Sequence, residues 1–174
     1  IGKYSGNSTQ GESCVAIGEN SGSNNQQTNG IAIGYQTGNN SQQSKSIAIG
    51  YFTGYQSQQS NSIAFGNFAG HIVQGSSSIA IGDNSAKTYQ GNNSIAIGNY
   101  SGSGTQGQYS VAIGNNSGSS KQGTNAIAIG SYSGGETQGN FCVAVGDASG
   151  RYNQGTKSIA IGNSSGNNNQ GYRY

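Results

Sequence analysis

Few residues of this 174-residue chain could do chemistry. His71 is the only histidine, the carboxylates are Glu12, Glu19, Asp83, Glu136 and Asp147, and the thiols are Cys14 and Cys142. A nucleophilic triad or a histidine-based metal cluster needs several such groups to converge. Paired acid/base carboxylates must stand roughly 5 to 9.5 Å apart. Glu19, Asp83 and Asp147 recur at one place in a sixteen-residue repeat, each four units from the next. The sequence therefore offers no catalytic, cofactor-binding or metal-binding residues, and an enzyme is not expected.

The elements that must position these groups follow from the repeat, which spans the whole chain. The stretch Asn92-Asn93-Ser94-Ile95-Ala96-Ile97-Gly98 returns with variations at a constant spacing of 16, without insertion or deletion. With the second Ile as position one, Gly fills position two throughout, and position six is Gly except at Ala86. Position ten is always Gln: Gln10, Gln26, Gln42, Gln58, Gln74, Gln90, Gln106, Gln122, Gln138, Gln154 and Gln170. The last position is always Ala: Ala16, Ala32, Ala48, Ala64, Ala80, Ala96, Ala112, Ala128, Ala144 and Ala160.

Composition alone, with 30% hydrophobic residues, 32 Gly and 7% charged residues, would suit a disordered chain. A strict register argues for order instead. Strong helix formers are scarce, with no Leu or Met. Alternation of β-branched and small residues in S-I-A-I-G is the period of a strand. Two short strands and two turns fill sixteen residues, and coils stacked in parallel give an all-β parallel β-solenoid of about eleven coils. The array of residues 1–174 reads as one domain without caps, a fragment of a longer fibre. At about 4.8 Å per coil, Cys14 and Cys142 would lie some 38 Å apart, too far for a disulfide.

The net charge of +2 forms no basic stripe, so nucleic acid is not an expected partner. No apolar run reaches membrane-spanning length. The invariant Gln column is expected to face inward as a hydrogen-bonded ladder. Both faces of the Ile-Ala-Ile strand look sterically restricted. The Ala column is therefore expected to form a close contact between neighbouring copies, or failing that to line a very narrow coil. Tyr35, Tyr51, Phe52, Tyr55, Phe68, Ile72 and Val73 fall on adjoining columns of successive coils, a candidate patch for a partner chain or glycan. Repeated hydroxyls at position five, among them Ser21, Thr37, Thr53, Ser85 and Ser101, raise a second reading as an ice-binding face.

Asn93-Ser94-Ile95-Ala96-Ile97-Gly98 and Ser110-Val111-Ala112-Ile113-Gly114-Asn115-Asn116-Ser117 resemble the N-S-V-A-I-G-x-x-S repeat of YadA-like heads of trimeric autotransporter adhesins. The I-A-I-G signature is also similar to repeats in fibre or surface proteins of large DNA viruses. The resemblance implies a left-handed parallel β-roll, three chains side by side, and an adhesive segment exposed at a cell or virion surface. This unit is longer than the usual one, and its Gln-Gly pair is not part of that motif. The sequence-level expectation is a stiff structural and adhesive extracellular fibre segment, a homo-oligomer or filament that presents variable turn residues to glycans or a host surface.

Overall fold

A computed structural model describes residues 1–171. Every strand belongs to one of two parallel sheets, and the described residues contain no helix. Ten strands built on Ile-Ala-Ile, from Val15–Ile17 to Ile159–Ile161, form one sheet, here called the alanine sheet. Eight strands ending on the invariant Gln, from Asn24–Gln26 to Thr137–Gln138, form the glutamine sheet. Register is shifted by one repeat everywhere, so that Ile95, Ala96 and Ile97 pair with Val111, Ala112 and Ile113. The result is a parallel β-solenoid of about nine turns, slightly fewer than the eleven units of the sequence. Terminal units have a neighbour on one side only, and there the ladder thins to isolated bridges such as Gln10↔Gln26 and Tyr152↔Asn168.

Two tight turns close each coil. Position four adopts left-handed φ at Asn84, Tyr100 and Asn116, and position thirteen does so at Asn93, Tyr109 and Asn125. Asn fills four places of the thirteenth column, in keeping with its tolerance of that region, whereas the fourth column carries five aromatic residues at the same left-handed φ. Gly98 shows why position two cannot vary: at φ +126 its Cβ would stand 2.5 Å from the Gly114 carbonyl oxygen of the next coil.

The interior is built from small and polar residues. From Ala32 to Ala160 every alanine of the column is fully buried, and only Ala16, in a terminal coil, is partly exposed. The column therefore lines the coil and does not form the expected contact between copies. The physical reason is width. A fully buried Gln already crosses the space between the sheets, leaving room opposite it for a methyl group and not for a branched Ile.

Hydroxyls at position five are inside as well. Ser85 donates to the Ala96 carbonyl at 2.8 Å and Ser101 to that of Ala112 at 2.7 Å. Ser21, Thr37 and Thr53 are fully buried. This column presents no hydroxyl array to water or ice, because its side chains are inside the coil: Ser85, Ser101, Ser117 and Ser133 bond the backbone of the facing strand, and the Ser21 and Thr37 hydroxyls are buried without a partner.

Gln26 through Gln154 of the tenth column are buried, while Gln10 and Gln170 at the ends are not. The recurring bond differs from the expected ladder. Nε2 donates across the coil to the carbonyl eleven residues earlier, as from Gln58 to Ile47, Gln74 to Ile63 and Gln122 to Val111, each at 2.7 Å. Among the described residues, glutamine-to-glutamine bonds of 3.1 Å occur only from Gln10 to Gln26, Gln42 to Gln58, Gln58 to Gln74 and Gln138 to Gln154. At Gln90, Gln106 and Gln122 the Oε1 atoms are buried without a partner. Each Gln is thus chiefly a rivet between the two sheets.

Candidate interaction surface

Alternation along a strand sends neighbouring side chains to opposite faces. With Ala inside, both Ile columns of the alanine sheet point outward. Ile95 and Ile97 are half-buried around a fully buried Ala96, and the same pattern holds for Val111 and Ile113 around Ala112. Phe65 is 51% exposed. The consequence is an unbroken outward stripe of Ile, Val and Phe, two side chains wide, along all ten strands. Monomeric soluble proteins rarely expose an apolar patch so extended.

On three successive strands the stripe widens. Ile31–Tyr35, Ile47–Tyr51 and Ile63–Asn67 are five residues long, whereas every other strand of this sheet has three. The longer strands carry position three into the sheet and turn it outward, adding Tyr35 and Tyr51 to the apolar face. Tyr35 stacks on Tyr51 with centroids 5.3 Å apart, and Phe52 stacks on Phe68 at the same distance. Phe52 meets Tyr51 edge-on at 4.8 Å and Tyr55 at 5.3 Å.

Five residues of the sequence-predicted patch, Tyr35, Tyr51, Phe52, Tyr55 and Phe68, therefore form one continuous ring cluster. Ile72 and Val73 are half-buried past the turn, with Val73 in the glutamine sheet between Ser57 and Tyr89. His71 was missed as a member. It stacks on Tyr55 at 5.2 Å, meets Phe68 at 5.0 Å, and Nδ1 lies 2.9 Å from the Phe52 carbonyl. The signal was present, since His71 follows Tyr55 by one repeat. Lys87, the next residue of that column, places Nζ 5.3 Å from the Phe68 centroid, a cation–π contact.

The two aspartates are tied into turn-column hydrogen bonds, Asp147 accepting from Asn163 at 3.4 Å. Asp83 accepts amide bonds from Asn67 at 2.8 Å, Asn84 at 3.0 Å and Asn99 at 3.3 Å, in a ladder along the turn column. Among the described residues no group of three or more His, Cys, Asp or Glu could hold a metal ion. Both cysteines are free: Cys142 is buried between Ala126 and Ser158 of its column, and Cys14 is half-buried near the first coil. No helix of the described residues is long and apolar enough to cross a membrane.

Comparison with known proteins gives one family. Residues 74–101 and 106–133 each match the YadA head domain repeat. The chain thus carries a YadA-like repeat, in agreement with the resemblance of its I-A-I-G motif. Both matched stretches lie C-terminal to the aromatic cluster. No curated protein and no solved structure matches the chain.

Proposed function

We propose that this chain is a stiff segment of an adhesive surface fibre whose copies associate side by side through the outward Ile face. The observation that carries the reading is that apolar stripe, which runs the length of the alanine sheet and has nothing over it in the single chain. Burying it against like stripes removes apolar surface from water at about 25 cal/mol per Å². Closed assemblies of identical chains are the common solution for such a face. The YadA-like repeat supports an adhesin-like role, a trimeric state and an extracellular or cell-surface location.

Adhesion in this reading belongs to the variable turn columns. A sugar ring docks on an open aromatic face. Here Tyr35 and Tyr51 close their faces against each other, as do Phe52 and Phe68, with Lys87 over the outer side.

Analytical ultracentrifugation with electron microscopy tests the reading. A homo-oligomeric thin rod is expected. A soluble monomer at micromolar concentration would sink it.

A further inference from the structure

The three long strands differ from the others at both ends. At the trailing end stand the rings Tyr35, Tyr51, Phe52 and Phe68. At the leading end, position eleven is Gly in the other coils but becomes Gln27, Gln43 and Gln59 in the turn that enters these three strands, four residues ahead of each. Both departures cover the same three levels of the rod.

Contacts within one chain do not account for the coincidence. A five-residue strand separates the two edges by roughly 15 Å, and each ring packs on other rings or His71. The glutamines also occupy a place that disfavours them. At the equivalent Gly75 an added Cβ would lie 2.6 Å from the Gly91 carbonyl carbon, so the coils carrying Gln must adjust to it. Two of the carbonyl ends are held: Ser44 donates to Gln27 Oε1 at 3.2 Å and Ser60 to Gln43 Oε1 at 3.3 Å. Among the described residues no acceptor takes the amide hydrogens of these glutamines, and with Gln27 exposed and Gln43 and Gln59 half-buried their N–H groups are accessible to a partner.

We infer that the aromatic shoulder of one copy docks on the glutamine-bearing edge of its neighbour at the same height, setting the rods parallel and in register. The inference rests on the side-by-side association proposed above. In any ring of parallel rods related by an axis along their length, the trailing edge of one alanine sheet meets the leading edge of the next. An antiparallel pair would bring trailing edge to trailing edge instead. The chemistry matches: the hydroxyl of Tyr51, on a half-exposed ring, can accept an amide N–H from a glutamine of the neighbouring copy. The Ile stripe is nearly uniform and specifies position along the rod weakly. A feature confined to three levels supplies what the stripe lacks.

Photocrosslinking tests this on the assembled protein. Phe52 is replaced by p-benzoylphenylalanine, the sample is irradiated, and adducts are mapped by mass spectrometry. The expected result is a chain-to-chain band whose linkage falls on residues 27–29, 43–45 or 59–61. The reciprocal probe at Gln43 should mark Tyr51 or Phe52 of another copy. Linkage of rings to rings, linkage to other levels, or no chain-to-chain band from a sample that sediments as an oligomer overturns the edge contact alone. A monomeric parent removes the side-by-side reading and this contact together.

Discussion

Gln106 Nε2 donates to the Ile95 carbonyl at 2.7 Å, joining the glutamine sheet to the alanine sheet eleven residues earlier. A leucine at position 106 has a similar size but no donor. Leaving a buried carbonyl without this partner costs about 1 to 3 kcal/mol. Gln106→Leu should therefore lower the urea midpoint followed by circular dichroism, while the surface replacement Thr105→Ser moves it little. Equal midpoints would remove the rivet as a stabilising element.

Two repeat glycines, one from an invariant column and one from a column that also holds Ala86, should differ in tolerance. A Cβ on Gly102 meets the Gln106 side-chain amide at 3.0 Å, a neighbour that can give, whereas on Gly98 it meets the next backbone at 2.5 Å. Gly102→Ala should cost about 1 to 2 kcal/mol, the penalty for an L-residue in the left-handed region. Ala86, buried with φ 47 in that same column, already carries this arrangement. Gly98→Ala should cost more, because the ladder itself must move. Melting curves that rank the two in the opposite order would contradict the assignment.

Inside and outside can be separated by paired charge substitutions. Ala96→Glu places a carboxylate in the fully buried coil interior, at a cost of several kcal/mol unless it finds a partner. Loss of the strand signal is expected. Ile97→Glu with Ile113→Glu changes only outward positions. That variant should keep its circular dichroism and sediment as a smaller species than the parent.

The two thiols should react at different rates. Cys142 is fully buried and Cys14 is half-buried in the first turns of the rod. With a chromogenic disulfide reagent the native protein should show one fast thiol, and both should react in denaturant. Two equally fast native thiols would place Cys142 outside the coil. Cys142→Ser restores the usual residue of its column, whose hydroxyl can take the Gly155 carbonyl that the thiol now bonds, and should move the melting curve little.

How much of this was legible from the sequence depends on what each feature rests on. Period, parallel pairing and register follow from an uninterrupted sixteen-residue spacing, because identical residues stack only when every coil has the same length. The ring cluster followed from column arithmetic, since neighbours in a column are neighbours in space. The inward Gln column followed from its invariance.

Which face of Ile-Ala-Ile is the interior did not follow. A period of two defines two faces but ranks neither, and hydrophobicity points to Ile. Only the closed coil decides, since the distance between its sheets is set by a buried glutamine that leaves space for Ala96 and turns Ile95 and Ile97 out. The same distance lets Gln106 reach Ile95. That bond spans two sheets, and no spacing along one strand encodes it.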